Sequence, residues 1–417
     1  MESLRMTTQN RKFKLTLLGL VMQGMGLMAH ATCGTQSGTD WTITSSTGTC
    51  NPDVTATNIT VNSGVAVGDS TTNFGMQFNS ATQLNTLTNL GDIYGTATAV
   101  ELTLNAGANI TNISNGSSTN TTSRIFAVST GLTLYSGSTI NTINNYGLIS
   151  GTYFRGILNN GSIGVIDNFG TISQTDSSFG LGIGAIDNGG QISSIMNNAG
   201  ATISGANNSI NNQSGATVTG ITNDGTISST NTSAIYNAGS IGTITNNANG
   251  VISGDFGIHN RGLITTIVNL GSIAGVTSGI YNDLNGSITT LQNAQSGLTY
   301  IGTLPTYYKI IITSSGYGTL NGTGQSSGAT TFGISSLSTL RAGTFQNVLT
   351  GGFSPSAGLS NSGASTGTVT GTQGGYNWTL TYNATTTSWN LDLVQGTVTP
   401  SGPSAADTQD SLVQSAS

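Results

Sequence analysis

Beyond the first 31 residues this 417-residue chain has a single histidine, His259, standing between Asp255 and Arg261. An acid, an imidazole and a guanidinium in one short stretch are the side chains a polysaccharide lyase or glycosidase gathers in a groove to move protons and hold a sugar. No second Arg or Lys recurs at the neighbouring repeats described below, so these three read first as solvated surface and corner residues. Asp167 and Asp187 each precede an Asn, but in different strands of the repeat. Two carboxylates on different faces form no acid/base pair. One histidine excludes a multi-histidine zinc site, and Gly/Asp-rich calcium nonapeptides are absent, so no metal or cofactor is expected.

Tyr236, His259 and Tyr281 suggest a different chemistry. Each is the middle residue of an Ile-x-Asn triplet, at Ile235/Asn237, Ile258/Asn260 and Ile280/Asn282. With Ile facing inward the middle residue faces outward, so three rings should stack as an exposed strip on successive repeats. Such a strip suits a sugar or a partner surface as ligand. The β-propensity of aromatic residues on an outer strand accounts for it equally well.

The elements that must position these residues repeat along the chain. A motif written aliphatic-x-x-aliphatic-x-Asn occurs at Leu84/Leu87/Asn89, Ile110/Ile113/Asn115, Ile140/Ile143/Asn145, Ile163/Ile166/Asn168 and Ile192/Ile195/Asn197. It continues at Val218/Ile221/Asn223, Ile241/Ile244/Asn246, Ile264/Ile267/Asn269 and Ile288/Leu291/Asn293. Most copies run into a Gly-x-Ile step such as Gly147-Leu148-Ile149, and then into Ile-x-Asn, from Ile157/Asn159 to Ile280/Asn282. Three short strands in a period of roughly two dozen residues describe one coil of a parallel β-helix. The chain is therefore expected to be all-β, with Ile columns inside, Asn at recurring corners and Gly supplying positive φ. Helical solenoids fail, because no apolar 3.6-residue periodicity survives the Gly and Asn interruptions.

Composition agrees with a charge-poor β solid, with 60 Gly, 35% hydrophobic and only 6% charged residues. Disorder would pair low hydrophobicity with high charge. Arg5, Arg11, Lys12 and Lys14 precede the apolar run Leu15 to Ala29 and the small-residue site Ala29-His30-Ala31, which reads as a secretory signal peptide over 1–31. The cations remaining after cleavage, Arg124, Arg155, Arg261, Lys309 and Arg341, are scattered among fourteen acids. That distribution carries no footprint for nucleic acid or anionic lipid. Cys33 and Cys50 are expected to pair in an oxidising compartment and staple the N-terminal end.

Exposed coil ends template aggregation, so caps are expected at 32–75 and at 298–396, flanking repeats over 76–297. In the second cap the Asn/Gly period gives way to aromatic residues, and a hairpin is predicted from Asn377-Trp378-Thr379-Leu380-Thr381-Tyr382 and Ser388-Trp389-Asn390-Leu391-Asp392-Leu393.

With leader, coils and aromatic end module in place, the chain resembles the passenger domain of a bacterial autotransporter of the type V secretion family. The most specific residues are Leu298-Thr299-Tyr300-Ile301-Gly302-Thr303-Leu304-Pro305, Lys309-Ile310-Ile311-Ile312, Thr331-Phe332-Gly333-Ile334 and the Trp378/Trp389 hairpin. They look like the module that precedes the barrel in that family and helps the passenger fold after export. The resemblance implies a non-catalytic adhesin displayed at the outer membrane or secreted, touching a host or neighbouring cell surface. The Gly-Asp-Ser-Gly run of the family's proteases is lacking, since Gly254-Asp255-Phe256-Gly257 has no Ser. Residues 397–417 look like a linker entering a translocator barrel, yet no alternating barrel strands follow. A truncated or interrupted gene is the favoured expectation, ahead of another secretion route.

Overall fold

The structure, a computed structural model, describes residues 34–52, 56–68, 75–95, 100–178, 182–322 and 328–396. The segment read as a signal peptide, Cys33 and the tail 397–417 lie outside them. The chain is all-β, a parallel β-solenoid of about 11 turns. At the strand spacing of a parallel sheet this is a rod of roughly 50 Å.

Through the central repeats each coil adds to three parallel stacks, which we call faces 1, 2 and 3. In one coil these are Thr139–Asn145, Leu148–Gly151 and Arg155–Asn159. Each pairs in register with its counterpart one coil on: Ile140 with Ile163, Ile149 with Ile172, Ile157 with Ile186. The inward Ile columns are solvent-free, and burying each side chain stabilises the stack by roughly 1.5–3 kcal/mol. Two aliphatics three residues apart cannot both point inward from a straight strand. Face 1 resolves this by bending at the first intervening residue, where the pairing skips Asn141 and Gly164.

The corner asparagines form two buried ladders. On face 1, Nδ2 of Asn89 donates to Oδ1 of Asn115 at 2.8 Å, Asn115 to Asn145 at 2.8 Å, and the series runs on to Asn269 and Asn293 at 3.0 Å. On face 3, Asn159 donates to Asn188 at 2.7 Å and the ladder ends with Asn260 on Asn282 at 2.8 Å. Nδ2 also reaches a backbone carbonyl of the next coil, as Asn145 does to Thr171 at 3.0 Å, except at Asn269, where Oε1 of Gln295 takes that place at 2.9 Å. That second bond fixes which end of the amide is nitrogen, so every rung points the same way along the rod.

Glycine acts differently from the expectation at the short Asn-x-Gly corners. Gly147 has no positive φ; a Cβ there would sit 2.0 Å from the Ser123 carbonyl of the preceding coil. Stacking distance, not backbone handedness, requires it. Positive φ belongs to the longer corners, such as Gly107 at 90°.

Parallel stacking also reaches into both segments expected as caps. Asp40–Ile43 pairs with Asn58–Val61, and the backbone of Cys50, a buried residue whose sulfur is in a disulfide, pairs in parallel with that of Met76. Only Thr35–Ser37 runs antiparallel across that end. At the other end Leu298–Gly302, Tyr307–Ile310, Leu320–Gly322 and Ala329–Ile334 continue the coils. The parallel coils are followed by an antiparallel meander of Thr368–Gln373, Tyr376–Asn383 and Ser388–Gln395, whose last strand pairs with Gly343–Gly351. It includes the hairpin predicted around Trp378 and Trp389, both buried.

Candidate aromatic cleft on face 3

Tyr236, His259 and Tyr281 share one outward register on face 3. Tyr236 comes from Ser233–Asn237, His259 from Val251–Asn260 and Tyr281 from Ser272–Asn282. In the last two coils faces 2 and 3 run as one long strand, with a pairing irregularity between Gly254 and Phe256. That irregularity brings Phe256 beside the strip. Its ring centroid is 5.4 Å from His259 and 5.1 Å from Tyr281. The His259 and Tyr281 rings stack at 4.6 Å, whereas Tyr236 stands perpendicular to His259 at 5.1 Å. The three strip residues are half-buried, not the fully exposed strip expected, because the rings cover one another and Phe256 joins them.

Beside the rings opens a cleft of about 600 Å³, lined among others by Asn231, Tyr236, Asp255, Phe256, His259 and Arg261. Asp255, His259 and Arg261, which the sequence offers as an acid/cation set, therefore share one wall. Arg261 is already engaged. Its Nε lies 3.0 Å from Oδ2 of Asp283 one coil on, and Nη1 donates to the Tyr236 hydroxyl at 3.5 Å. The Tyr236 contact and the Asp283 charge hold its pKa above the ordinary value. Asp255 accepts a hydrogen bond from the Thr277 hydroxyl at 2.6 Å. Nε2 of His259 is shielded and without a hydrogen-bond partner. Burial pushes the imidazole pKa below its usual value, opposed by Asp283 and assisted by Arg261, so the ring is neutral at pH 7.

The same outward column has another character toward the N-terminus, where Asp187 and Asn211 precede Tyr236 in register. Asp187 is fully buried. It accepts from Nε of Arg155, from Nδ2 of Asn211 at 2.8 Å and from Nε2 of Gln213 at 2.7 Å. Nδ2 of Asn211 also donates to the Gly182 carbonyl at 3.0 Å, and Gly182 lines the cleft. The polar stretch is thus covered and the aromatic stretch is open. Asp167 lies on face 1, away from Asp187. Among the described residues no group of His, Cys, Asp and Glu is arranged to hold a metal.

Sequence reasoning missed Phe256, Asp283 and the Arg155–Asp187 pair. It also missed a second aromatic step on face 2, where Tyr94 and Phe126 stack at 5.7 Å. There Arg124 lies 4.6 Å over Phe126 while bonded to Asp92. Tyr94 follows Ile93 as Tyr236 follows Ile235, so the outward-position rule that found one strip contained the signal for the other. No protein-family model, curated protein or solved structure matches the chain.

Proposed function

We propose that this chain is a β-helical rod acting in adhesion, displayed at or secreted from a bacterial cell and touching a host or neighbouring surface through the face 3 cleft. The observation that carries the reading is a cluster of aromatic rings on a charge-poor solenoid, in which Tyr236, Phe256 and His259 line an open cleft and Tyr281 stacks on His259. Half-open clefts with apolar rings and a few convergent polar groups are the usual form of a binding site. The resemblance to autotransporter passengers supports the same reading, with export through a leader at 1–31.

The test replaces Tyr236, His259 and Tyr281 together with Ser and measures attachment of cells displaying the rod. Attachment should fall to the level of cells without it; unchanged attachment would sink the proposal. One observation favours a second reading, turnover of a polysaccharide: Asp255, His259 and Arg261 line the same cleft. Release of new reducing ends from neutral or acidic glycans by the purified chain decides for that alternative.

A further inference from the structure

Among the described residues Arg261 is the one cation lining the cleft, and its bonds to Asp283 and the Tyr236 hydroxyl decide what the cleft can hold. A cleft built for an anionic ligand leaves a guanidinium fork free to grip carboxylate or phosphate with two parallel bonds. Here Nε is directed at Asp283 and Nη1 at Tyr236. Asp255 adds a second carboxylate to the neighbourhood, so two acids face one cation on a chain whose formal net charge is −6. An anion would have to displace Asp283 from Arg261 and approach Asp255 against its charge.

The ring geometry decides between the remaining ligand classes. A cage for a compact organic cation turns several ring faces toward one point. Tyr281 does not line this cleft; it stacks on His259 at 4.6 Å with 25° between planes and so occupies one face of that ring, which leaves no cage of several faces. Tyr236 stands at 89° to His259, which leaves a corner of two surfaces at right angles. A pyranose ring has an apolar C–H face that packs on an aromatic surface and a rim of hydroxyls that must be hydrogen-bonded. Asp255 and Asn231 line the same cleft and keep capacity beyond their bonds to the Thr277 hydroxyl and the Ala206 carbonyl, a second carboxylate oxygen on one and the amide oxygen on the other.

Resting on the adhesive reading of this cleft, we infer that its ligand is an uncharged oligosaccharide, seated with a pyranose face in the Tyr236–His259 corner and its hydroxyls toward Asp255 and Asn231. Arg261 is then a positioning residue. It holds the Tyr236 ring upright through the phenolic oxygen and does not touch the sugar.

The experiment titrates the purified full chain by calorimetry with mannotriose, maltotriose and cellotriose, and with trigalacturonate as the anionic counterpart. At least one neutral trisaccharide should bind, with an affinity unchanged between about 20 and 500 mM salt. Tyr236→Ser should weaken it by roughly tenfold or more, with circular dichroism confirming the fold. Tyr236→Phe keeps the ring and releases Arg261, and should cost only a few-fold. Salt-sensitive binding of trigalacturonate in preference to the neutral sugars would overturn the inference. So would silence of all the neutral trisaccharides when cell attachment still depends on Tyr236, and that outcome leaves the adhesive reading standing. Attachment indifferent to the triple Ser replacement removes both.

Discussion

The inward column on face 3 reads Phe78, Leu104 and Leu134 near the N-terminal end, then Asn159, Asn188, Asn212, Asn237, Asn260 and Asn282 in unbroken register. One backbone position therefore accepts either an apolar stack or an amide ladder; every two-residue corner on this face follows an asparagine, whereas four-residue corners follow either kind. After the apolar residues come the corners 79–82, 105–108 and 135–138, which close on themselves: Thr82 N–H bonds the Asn79 carbonyl at 2.9 Å and Ser138 that of Tyr135 at 3.0 Å. After Asn159, Asn188 and Asn260 the corners 160–161, 189–190 and 261–262 are too short for such a turn. There the asparagine completes the corner, its Oδ1 accepting from Gly161 at 3.1 Å and from Gly190 and Gly262 at 3.3 Å. Asn212 and Asn282 precede longer corners, 213–216 and 283–286, and are held by the ladder and by carbonyls of the next coil, Nδ2 of Asn212 donating to Ser240 at 3.1 Å and that of Asn282 to Thr303 at 2.7 Å. A buried amide is costly unless every polar atom is paired, and the short corner supplies the partners.

The outward column of the same face changes in parallel, and the largest predicted effect lies where it does. Arg155→Ala strands the buried Asp187 carboxylate with two amide donors and no cation. A loss of about 3–5 kcal/mol in unfolding free energy is expected in a urea melt, and adding Asp187→Asn should recover most of it. A smaller pair of effects tests the corner rule directly. Asn237→Leu leaves Asn212 Nδ2, Asn260 Oδ1 and the Leu263 carbonyl without this partner and should cost about 2–3 kcal/mol. Leu134→Asn inserts an amide beside a corner that needs none, next to an acceptor on Asn159, and should cost about 1–2 kcal/mol. If Leu134→Asn proves the more damaging, corner length is not what selects the residue.

Much of this was legible in the sequence, because Ile and Asn recur at fixed places in a short period and a residue type that must be inside can be counted. Asn89 through Asn293 and Asn159 through Asn282 occupy the two ladders the motif implies. Coils that use apolar residues at those places were invisible to the same search: Val61 holds a ladder position without an Asn, so 32–75 looked like a separate cap. Pairings between coils were hidden for another reason. Arg155 and Asp187 meet only because the coil between them has a particular length, and that length varies from coil to coil. The cleft was half legible. Tyr236, His259 and Tyr281 follow from strand alternation, but Phe256 enters through a local irregularity and Asp283 through a corner, and neither obeys the repeat.

The aromatic stretch of the outward column should contribute little to stability compared with the covered stretch before it. Tyr236→Ser or Tyr281→Ser removes half-buried cross-strand contacts worth at most about 1 kcal/mol each. A loss comparable to that of Arg155→Ala would mean that the strip is structural and would erase the functional contrast between the two stretches.

The smallest effect separates the stretches by pH. His259 titrates below its ordinary value because burial disfavours the imidazolium, and its unfolded counterpart takes up a proton near pH 6.5. The unfolded chain thus binds the proton first as pH falls. His259 contributes its full share of stability above about pH 6.5 and loses it progressively toward the folded-state pKa. Comparing wild type with His259→Phe in urea melts at about pH 7.5 and pH 5.5 isolates this term from the carboxylates, which titrate in both. Wild type should lose more on acidification than the variant. Asp283→Asn, which removes the group opposing the shift, should widen the difference. Equal losses in wild type and His259→Phe would mean that the imidazole keeps its ordinary hydration, with the cleft wetter and the rings less tightly packed than their distances imply.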